Sequence, residues 1–137
     1  MVGAGHAGVE AAKIASKTGC KVSLVTMDKK SVGRMSCNPA IGGVAKGQIV
    51  REIDILGGLM AKTTDVSGLQ FKILNKSKGR SVWSPRAQVD KRVYEQTISK
   101  AILSDKNITV VEGEATSLIV KNNSVCGVVL RNEEKVF

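Results

Sequence analysis

The chain has 137 residues, of which 42% are hydrophobic and 24% charged, a length and composition that favour one globular domain over disorder. Apolar runs such as Ser23 to Met27 are far too short to cross a bilayer, so we predict no membrane segment. Three cysteines with a single histidine exclude a structural zinc site, so we predict no metal. A formal net charge of +9, from 21 Lys and Arg against 12 Asp and Glu, is typical of a protein that binds a polyanion, or of a piece whose compensating acids lie elsewhere.

A glycine turn opens the chain. Gly3, Ala4, Gly5, His6, Ala7 and Gly8 fit the pattern G-x-G-x-x-G, in which the first glycine permits a tight turn, the second admits a pyrophosphate and the third lets a helix pack closely on a strand. A helix is predicted from Val9 to Ser16, with Val9 and Ala12 inward and Gly19 as its cap, followed by a strand from Lys21 to Thr26. This order predicts a dinucleotide site in which the helix N-terminus faces the phosphates, and we expect His6 to contribute its backbone and not an acid–base group.

The end of the predicted strand lacks the acidic residue that commonly binds a ribose hydroxyl. Thr26 stands at that position and Asp28 follows two residues later, so a hydroxyl from Thr26 or a carboxylate from the loop would take its place. Only Met1 and Val2 precede the glycine turn, and the chain stops in the strand-like run Glu134 to Phe137. We therefore expect residues 1–137 to be an incomplete domain that lacks most of its first strand.

The remaining predicted elements alternate between helices, strands and loops. A loop from Met27 to Gly47 leads to a helix from Gln48 to Leu56, whose predicted apolar face is Ile49, Ile53 and Leu56, and Gly57-Gly58 breaks this helix. A half-buried strand from Leu69 to Leu74 and a basic loop from Asn75 to Pro85 follow, and then a helix from Arg86 to Leu103 with Val89, Val93, Ile98 and Ile102 inward. The last predicted elements are strands over Ile108–Glu112, Ser117–Lys121 and Val125–Arg131, and an Asn122-Asn123 turn joins the second to the third.

The long loop carries small residues and a cysteine. Its Asn38-Pro39 turn and its glycines Gly42 and Gly43 would let the backbone lie against a planar ring, with the two glycine N–H groups near the polar edge of the ring. Cys37 is either a thiolate nucleophile or a small buried hydrophobe. From the residues alone, the buried hydrophobe is favoured.

The basic loop and the residues after it have two interpretations as well. Their cations would face a phosphate backbone or form an ordinary solvated surface; they are Lys76, Lys78, Arg80, Arg86, Lys91 and Arg92. Trp83 would stack on a base or flavin, or simply pack.

Several of these segments together resemble the GidA/MnmG family, the large flavin-containing subunits of a tRNA uridine 5-carboxymethylaminomethyl modification enzyme. The likeness is carried by Gly3–Ala12, Met35–Gly47, Ile53–Met60, Leu69–Asn75, Ser77–Gly79 and Arg86–Asp90, and the Ser-Cys-Asn-Pro-Ala-Ile-Gly-Gly stretch is highly specific. One departure is Arg80-Ser81, where the family commonly has Pro-Ala.

The resemblance implies an α/β fold, a Rossmann-like FAD-binding domain with a parallel sheet, flanking helices and a β-hairpin extension. It implies an enzyme that binds FAD and uses NADH, methylenetetrahydrofolate and glycine or ammonium. The enzyme would work as a homodimer with an MnmE-like partner GTPase on the wobble uridine of tRNA, in the cytoplasm or in a mitochondrion. Gly3 to Gly8 would hold the FAD pyrophosphate, Thr26 would lie near the adenosine ribose, and the backbone around Ala115 would meet the adenine. Cys37 would be either a nucleophile that attacks C6 of a uracil or a residue beside the flavin.

Two other functions remain open at this point. One is a folate- and flavin-dependent tRNA uracil methyltransferase, although such proteins usually carry an acid where Thr26 stands and lack the Cys-Asn-Pro-Ala-Ile run. The other is a non-catalytic fragment that binds a nucleotide or RNA through its charge.

Overall fold

The chain divides into two units, which are described separately. The first consists of Met1–Val32 and Ile102–Phe137, and the second of Gly33–Ala101; the computed structural model describes residues 1–137 throughout. The helices are α1 (His6–Lys17), α2 (Lys46–Ile55), α3 (Met60–Ser67) and α4 (Lys91–Leu103), and the strands are β1 (Val22–Thr26), β2 (Ala40–Gly42), β3 (Gly68–Leu74), β4 (Ser84–Val89), β5 (Ile108–Glu112), β6 (Ala115–Lys121), β7 (Ser124–Leu130) and β8 (Lys135–Val136). None of the helices has the length and the apolar run that crossing a membrane would need.

A small parallel sheet forms the centre of the first unit. Strands β1 and β5 pair in register from Val22 opposite Ile108 to Thr26 opposite Glu112, and Val2 forms a parallel bridge to Val25. Burial explains this arrangement, because the apolar residues of β1 and of the inner face of α1 lose nearly all contact with solvent. The predicted glycine turn, helix and parallel strand are confirmed, and the α/β class with them.

Helix α1 ends at the predicted glycine. Gly19 has a φ of +90°, its N–H donates to the Ser16 carbonyl at 3.0 Å, and the Cys20 N–H donates to the Ala15 carbonyl at 3.0 Å. This pair of bonds is a Schellman motif. It turns the chain so that β1 can begin three residues later at Val22.

The β-hairpin extension in the first unit is confirmed. Strands β6 and β7 pair antiparallel, and the two residues between them, Asn122 and Asn123, have φ angles of 49° and 60°. Asparagine tolerates this left-handed conformation, which the tightest hairpin turns require. The end of the chain adds β8 beside β7.

The second unit contains a three-stranded antiparallel sheet in the order β2-β4-β3. The predicted helix from Arg86 to Leu103 is therefore wrong in its first part, where Ser84–Val89 forms the central strand β4. Helix α4 begins only after Asp90, whose carboxylate accepts the N–H groups of Arg92 at 2.8 Å and Val93 at 3.0 Å, as a capping residue does. Val93 is 38% exposed and not inward, whereas Ile98 and Ile102 are buried as expected.

The predicted apolar face of the helix after the long loop is also wrong. Helix α2 starts at Lys46, and its buried residues are Gly47 and Val50, while Ile49 is 51% and Leu56 70% exposed. The start is displaced because β2 already ends at Gly42 and Gly47 packs against Pro85 of β4. The loop from Met27 to Gly47 is accordingly shorter than expected, since it contains a 3₁₀ turn at Lys29–Ser31 and strand β2.

Strand β3 occurs where it was predicted, but it is not half-buried. Its apolar residues Leu69, Phe71 and Ile73 are 70%, 60% and 43% exposed. The strand lies at the edge of its sheet, with β4 as its single partner. Alternation of residue types identified the strand correctly, but it carries no information on whether another element covers the apolar face.

Candidate nucleotide-binding site

Each glycine of the opening turn has a separate structural role. Gly3 has a φ of +95°, which side chains rarely adopt. Gly5 caps α1, and a Cβ built on it would meet nothing within 4 Å, whereas a Cβ on Gly8 would overlap the Gly3 carbonyl oxygen. The turn thus combines a left-handed bend, an open position at the helix N-terminus, and close packing of the helix on the chain that enters it.

A cavity of about 450 Å³ lies beside this turn and brings together five of the predicted site residues: Gly3, Ala4, Gly5, Thr26 and Ala115. They meet because β1 and β5 are parallel and end side by side, and the Gly113 N–H donates to the Thr26 carbonyl at 2.8 Å. Ligands of open α/β sheets bind at this carboxyl end of the strands. His6, Ala7 and Gly8 belong to the first turn of α1, and His6 is half-buried there.

The oxygens at the end of β1 are engaged in local hydrogen bonds. The Thr26 hydroxyl donates to the Asp28 carbonyl at 3.3 Å. The Asp28 carboxylate accepts the Lys30 N–H at 2.8 Å and the Ser31 hydroxyl at 2.6 Å. Asp28 therefore caps the 3₁₀ turn at Lys29–Ser31, which holds the loop at the border of the cavity.

Two residues that line the same cavity, Ser31 and Glu114, were missed by the sequence analysis. Glu114 pairs with Arg131, with 2.6 Å between the Arg131 Nη2 and the Glu114 Oε1. Its position had a usable signal, because residues that follow β5 must lie beside residues that follow a parallel β1. Ser31 had none, since a 3₁₀ turn leaves no periodic pattern.

The other predicted site residues belong to the second unit. Cys37 is exposed, so its interpretation as a small buried hydrophobe is wrong, and the nearest recorded partner of its sulfur is the Ser36 hydroxyl at 4.0 Å. Asn38 is exposed too, and its carbonyl accepts the Ala40 N–H at 2.7 Å, just where β2 begins. A solvent-facing thiol at a bend before a strand is accessible to a substrate.

Gly42 and Gly43 serve the sheet of the second unit. Both have a φ of +108°, and a Cβ on Gly42 would overlap the Pro85 carbonyl oxygen. The Gly43 N–H donates to that same carbonyl at 2.9 Å, so the expectation that this N–H faces a ring edge is wrong. Gly42 therefore lets β2 approach β4 closely, whereas a Cβ on Gly43 would meet nothing within 4 Å.

Helix α1 is held at its other end by a cluster around Asp105. Its carboxylate accepts from the Lys13 Nζ at 2.6 Å, from the Ser16 hydroxyl at 2.7 Å and from the Asn107 N–H at 3.0 Å. The hydrogen bond from Lys13, then those from Asn107 and Ser16, lower the pKa of Asp105 from 3.8 to about 2. The cluster fixes the last turns of α1 against the loop that leads into β5.

The basic loop holds its own tryptophan in place. The Trp83 indole N–H donates to the Lys76 carbonyl at 3.2 Å, and the Arg80 guanidinium lies 5.7 Å from the ring centroid, within cation–π range. Trp83 remains 37% exposed. Packing within the loop therefore accounts for one edge and one face of the ring.

Comparison with known proteins shows the family to which this chain is similar. The family model described as "Glucose inhibited division protein A" matches residues 1–137. The chain is 50% identical over 136 residues to the tRNA uridine 5-carboxymethylaminomethyl modification enzyme MnmG of Endomicrobium trichonymphae, covering 99% of this chain and 23% of that protein. It is 47% identical over 137 residues to the protein of the same name from Buchnera aphidicola subsp. Cinara cedri (strain Cc), covering 100% of this chain and 22% of that protein.

Solved structures agree with this result. GidA of Aquifex aeolicus, in its form II crystal, superposes with a TM-score of 0.91 at 47% identity, covering 98% of this chain and 22% of that one. The GidA-related protein from Thermus thermophilus has a TM-score of 0.63 at 17% identity over 98% of this chain and 46% of that one, which supports the fold alone. The chain thus spans about a fifth of the length of the curated relatives it matches. Because the family model covers every residue, the chain belongs to the glucose-inhibited division protein A, or GidA, family.

Proposed function

We propose that the first unit binds the adenosine and pyrophosphate portions of FAD, and that the whole protein modifies C5 of the wobble uridine in tRNA. The observation that carries the proposal is the cavity formed by the glycine turn, Thr26 and Ala115. Its volume of about 450 Å³ falls within the range of small-molecule sites. The name of the 47–50% identical relatives supports the tRNA part of the proposal.

The residues of the turn fit a diphosphate. The space beside Gly5 is open, and Gly5 lies at the N-terminus of α1, where a helix offers N–H donors and a partial positive charge to an anion. Gly3 to Gly8 would hold the pyrophosphate, the Thr26 hydroxyl would lie near the ribose, and the Ala115 backbone would meet the adenine. Asn38 and Gly42 stay predictions for the ring end of the cofactor, whereas the Gly43 N–H is already donated to the Pro85 carbonyl. When bound, FAD supplies transfer of one or two electrons.

Cys37 is the proposed nucleophile. Its thiolate forms a bond to C6 of the uracil while the electron pair of the C5–C6 double bond moves toward the ring carbonyl, which makes C5 nucleophilic. C5 then bonds to the methylene carbon of methylenetetrahydrofolate as one of its two bonds to folate nitrogen breaks and that nitrogen takes a proton. Loss of the C5 proton breaks the second carbon–nitrogen bond, releases tetrahydrofolate and leaves a methylene group double-bonded to C5. Glycine or ammonium adds to this methylene carbon and loses a proton, which restores the C5–C6 double bond and expels the thiolate. NADH as reductant, a homodimer, an MnmE-like partner GTPase and a cytoplasmic location complete the proposal.

The test uses the protein at its natural length. We expect it to purify with bound flavin, visible as yellow absorption, and to modify tRNA. Cys37→Ser is expected to lower modification at least tenfold with flavin absorption unchanged, because serine is a much weaker nucleophile. Cys20→Ser is the matched control, since Cys20 is also an exposed free cysteine.

The outcomes separate the parts of the proposal. A colourless protein would refute FAD binding, whatever its activity. Full modification by the Cys37→Ser variant would remove the thiol from the mechanism while leaving the flavin site in place. Equal losses in both serine variants would indicate damage to the fold.

A further inference from the structure

Two cations of the second unit lie directly opposite each other on neighbouring strands. Lys72 of β3 pairs with Arg86 of β4, and Gln70 pairs with Gln88 two residues away. Since side chains two residues apart on a strand share a face, all four side chains project from the same face of the sheet. Phe71 belongs to the opposite face, where its ring lies next to Gly68 and the Thr64 carbonyl.

Neither Lys72 nor Arg86 forms an ion pair within the protein, although Asp65 lines the same cavity as both. The ion pairs of the chain join Lys13 to Asp105, Lys91 to Glu95 and Arg131 to Glu114. No side-chain hydrogen bond to another residue is formed by any of the four, Lys72, Arg86, Gln70 and Gln88. Like charges directly opposite on adjacent strands destabilise a sheet, so this pair weakens the fold unless an anion lies between them.

We infer that this face, formed by Lys72, Arg86, Gln70 and Gln88, binds a single-stranded segment of RNA. Lys72 and Arg86 would contact a phosphate, and the two glutamine amides, about 7 Å further along the strands, would hydrogen-bond the edges of an adjacent base. Amide side chains offer both a donor and an acceptor to a base edge, and unpaired nucleotides are the usual target of sequence-specific RNA recognition.

The charge and composition of the face favour RNA over a dinucleotide. A dinucleotide site in an α/β protein uses a glycine turn and a helix N-terminus, which the first unit already provides. The face on β3 and β4 has instead two cations and two amides on regular strands, and the whole chain carries a net charge of +9. The inference rests on the proposed function in one respect, because it takes tRNA as the RNA.

The test measures binding of fluorescently labelled tRNA by the protein at its natural length, at several salt concentrations. Lys72→Gln and Arg86→Gln are each expected to weaken binding about tenfold, the effect of losing a hydrogen bond to a charged group. Each should also lower the slope of log affinity against log salt by about one. Arg86→Lys, which keeps the charge, should keep the slope.

The control is Lys100→Gln, an exposed lysine of α4 in the same unit, which makes the same change in net charge. The melting temperature separates binding from folding: removing one of two opposed cations should leave it unchanged or raise it. Affinity and slope that match the control would overturn the inference and leave the proposed function intact.

Two further outcomes are decisive. If Lys72→Gln and Arg86→Gln lose flavin absorption and keep their tRNA affinity, the phosphate belongs to the dinucleotide and the inference is wrong. If the unaltered protein contains flavin but does not bind tRNA, the tRNA part of the proposed function fails and the inference fails with it.

Discussion

The chain contains two glycine-bearing turns that lead into helices, and they use glycine for opposite purposes. In the first, Gly5 stands directly before α1 with nothing within 4 Å of the position of a Cβ. In the second, which leads into α2, a Cβ on Gly42 would overlap the Pro85 carbonyl oxygen, and a Cβ on Gly47, in the first turn of α2, would lie 2.7 Å from the same oxygen. The space beside Gly5 is open, whereas strand β4 occupies the space beside Gly42 and Gly47.

The difference shows that glycine content alone does not identify a ligand site. A glycine contributes to a ligand site where the absent side chain leaves open space at a helix N-terminus, as at Gly5. It contributes to packing where the space is taken by backbone, as at Gly42, where a Cβ would overlap the Pro85 carbonyl oxygen. The two cases predict different consequences of adding a methyl group.

The largest effect is expected from Gly8→Ala. The added Cβ would overlap the Gly3 carbonyl oxygen, which is backbone and cannot rotate away, so α1 must move off the turn. We expect destabilisation of about 3 kcal/mol together with loss of bound flavin, measured by melting temperature and absorbance. Gly5→Ala is the matched control, because it has open space and should lower flavin affinity with little change in melting temperature. Similar stability losses in the two variants would contradict the distinction between an open and a packed glycine.

A smaller effect, confined to the second unit, is expected from Gly42→Ala. The methyl group would overlap the Pro85 carbonyl oxygen and approach the Arg86 Cα to 2.9 Å, so β2 would separate from β4 at a cost of about 2 kcal/mol. Hydrogen exchange should then accelerate at the amides of β2 and β4 but not at those of β1 and β5. Gly43→Ala carries the same φ of +108° without the overlap, so it measures the backbone strain alone, about 1 kcal/mol. Uniform acceleration through the chain would count against a local packing role.

The first unit could be predicted almost completely from the sequence, because its signals are local. The glycine pattern, the cap at Gly19 and the Asn122-Asn123 turn each specify a backbone conformation within a few residues. The placement of Thr26 and Ala115 in one site comes from the family resemblance, and its physical reason is the rule that adjacent parallel strands end at the same edge. That rule also accounts for Glu114, which the sequence analysis overlooked.

The second unit could be predicted only in part, because its burial depends on long-range pairing. The sequence predicts a helix over Arg86–Val89 because these residues fit either pattern, and the pairing with β2 and β3 that makes them part of a strand is not visible in the sequence. The exposure of Phe71 on β3 has the same origin, as no local pattern states which elements cover a face. The prediction that Cys37 is buried rests on how often free cysteines are buried in proteins. The bend before β2 places Cys37 at the surface instead.

The glycine turn at the N-terminus of α1 also depends on how the C-terminal end of that helix is held. Asp105 holds this end, and it gives the prediction with the smallest effect and the strongest pH dependence. Its pKa is lowered from 3.8 to about 2 by the hydrogen bonds from Lys13, Asn107 and Ser16, so the carboxylate stabilises the folded state in full above pH 3.8. That contribution falls as the pH drops from 3.8 toward 2, where the folded state also becomes protonated.

Asp105→Asn should therefore lower the melting temperature at neutral pH, with a difference from the unaltered protein that shrinks as the pH falls through this window. Flavin affinity should fall only slightly, because Asp105 contacts the last turns of α1 and not the glycine turn. Asp54→Asn serves as the control, since the Asp54 side chain has no recorded hydrogen bond or ion pair. A difference in melting temperature that stays constant from neutral pH down to pH 2 would show that the Asp105 charge contributes nothing, and that the far end of α1 is held by packing alone.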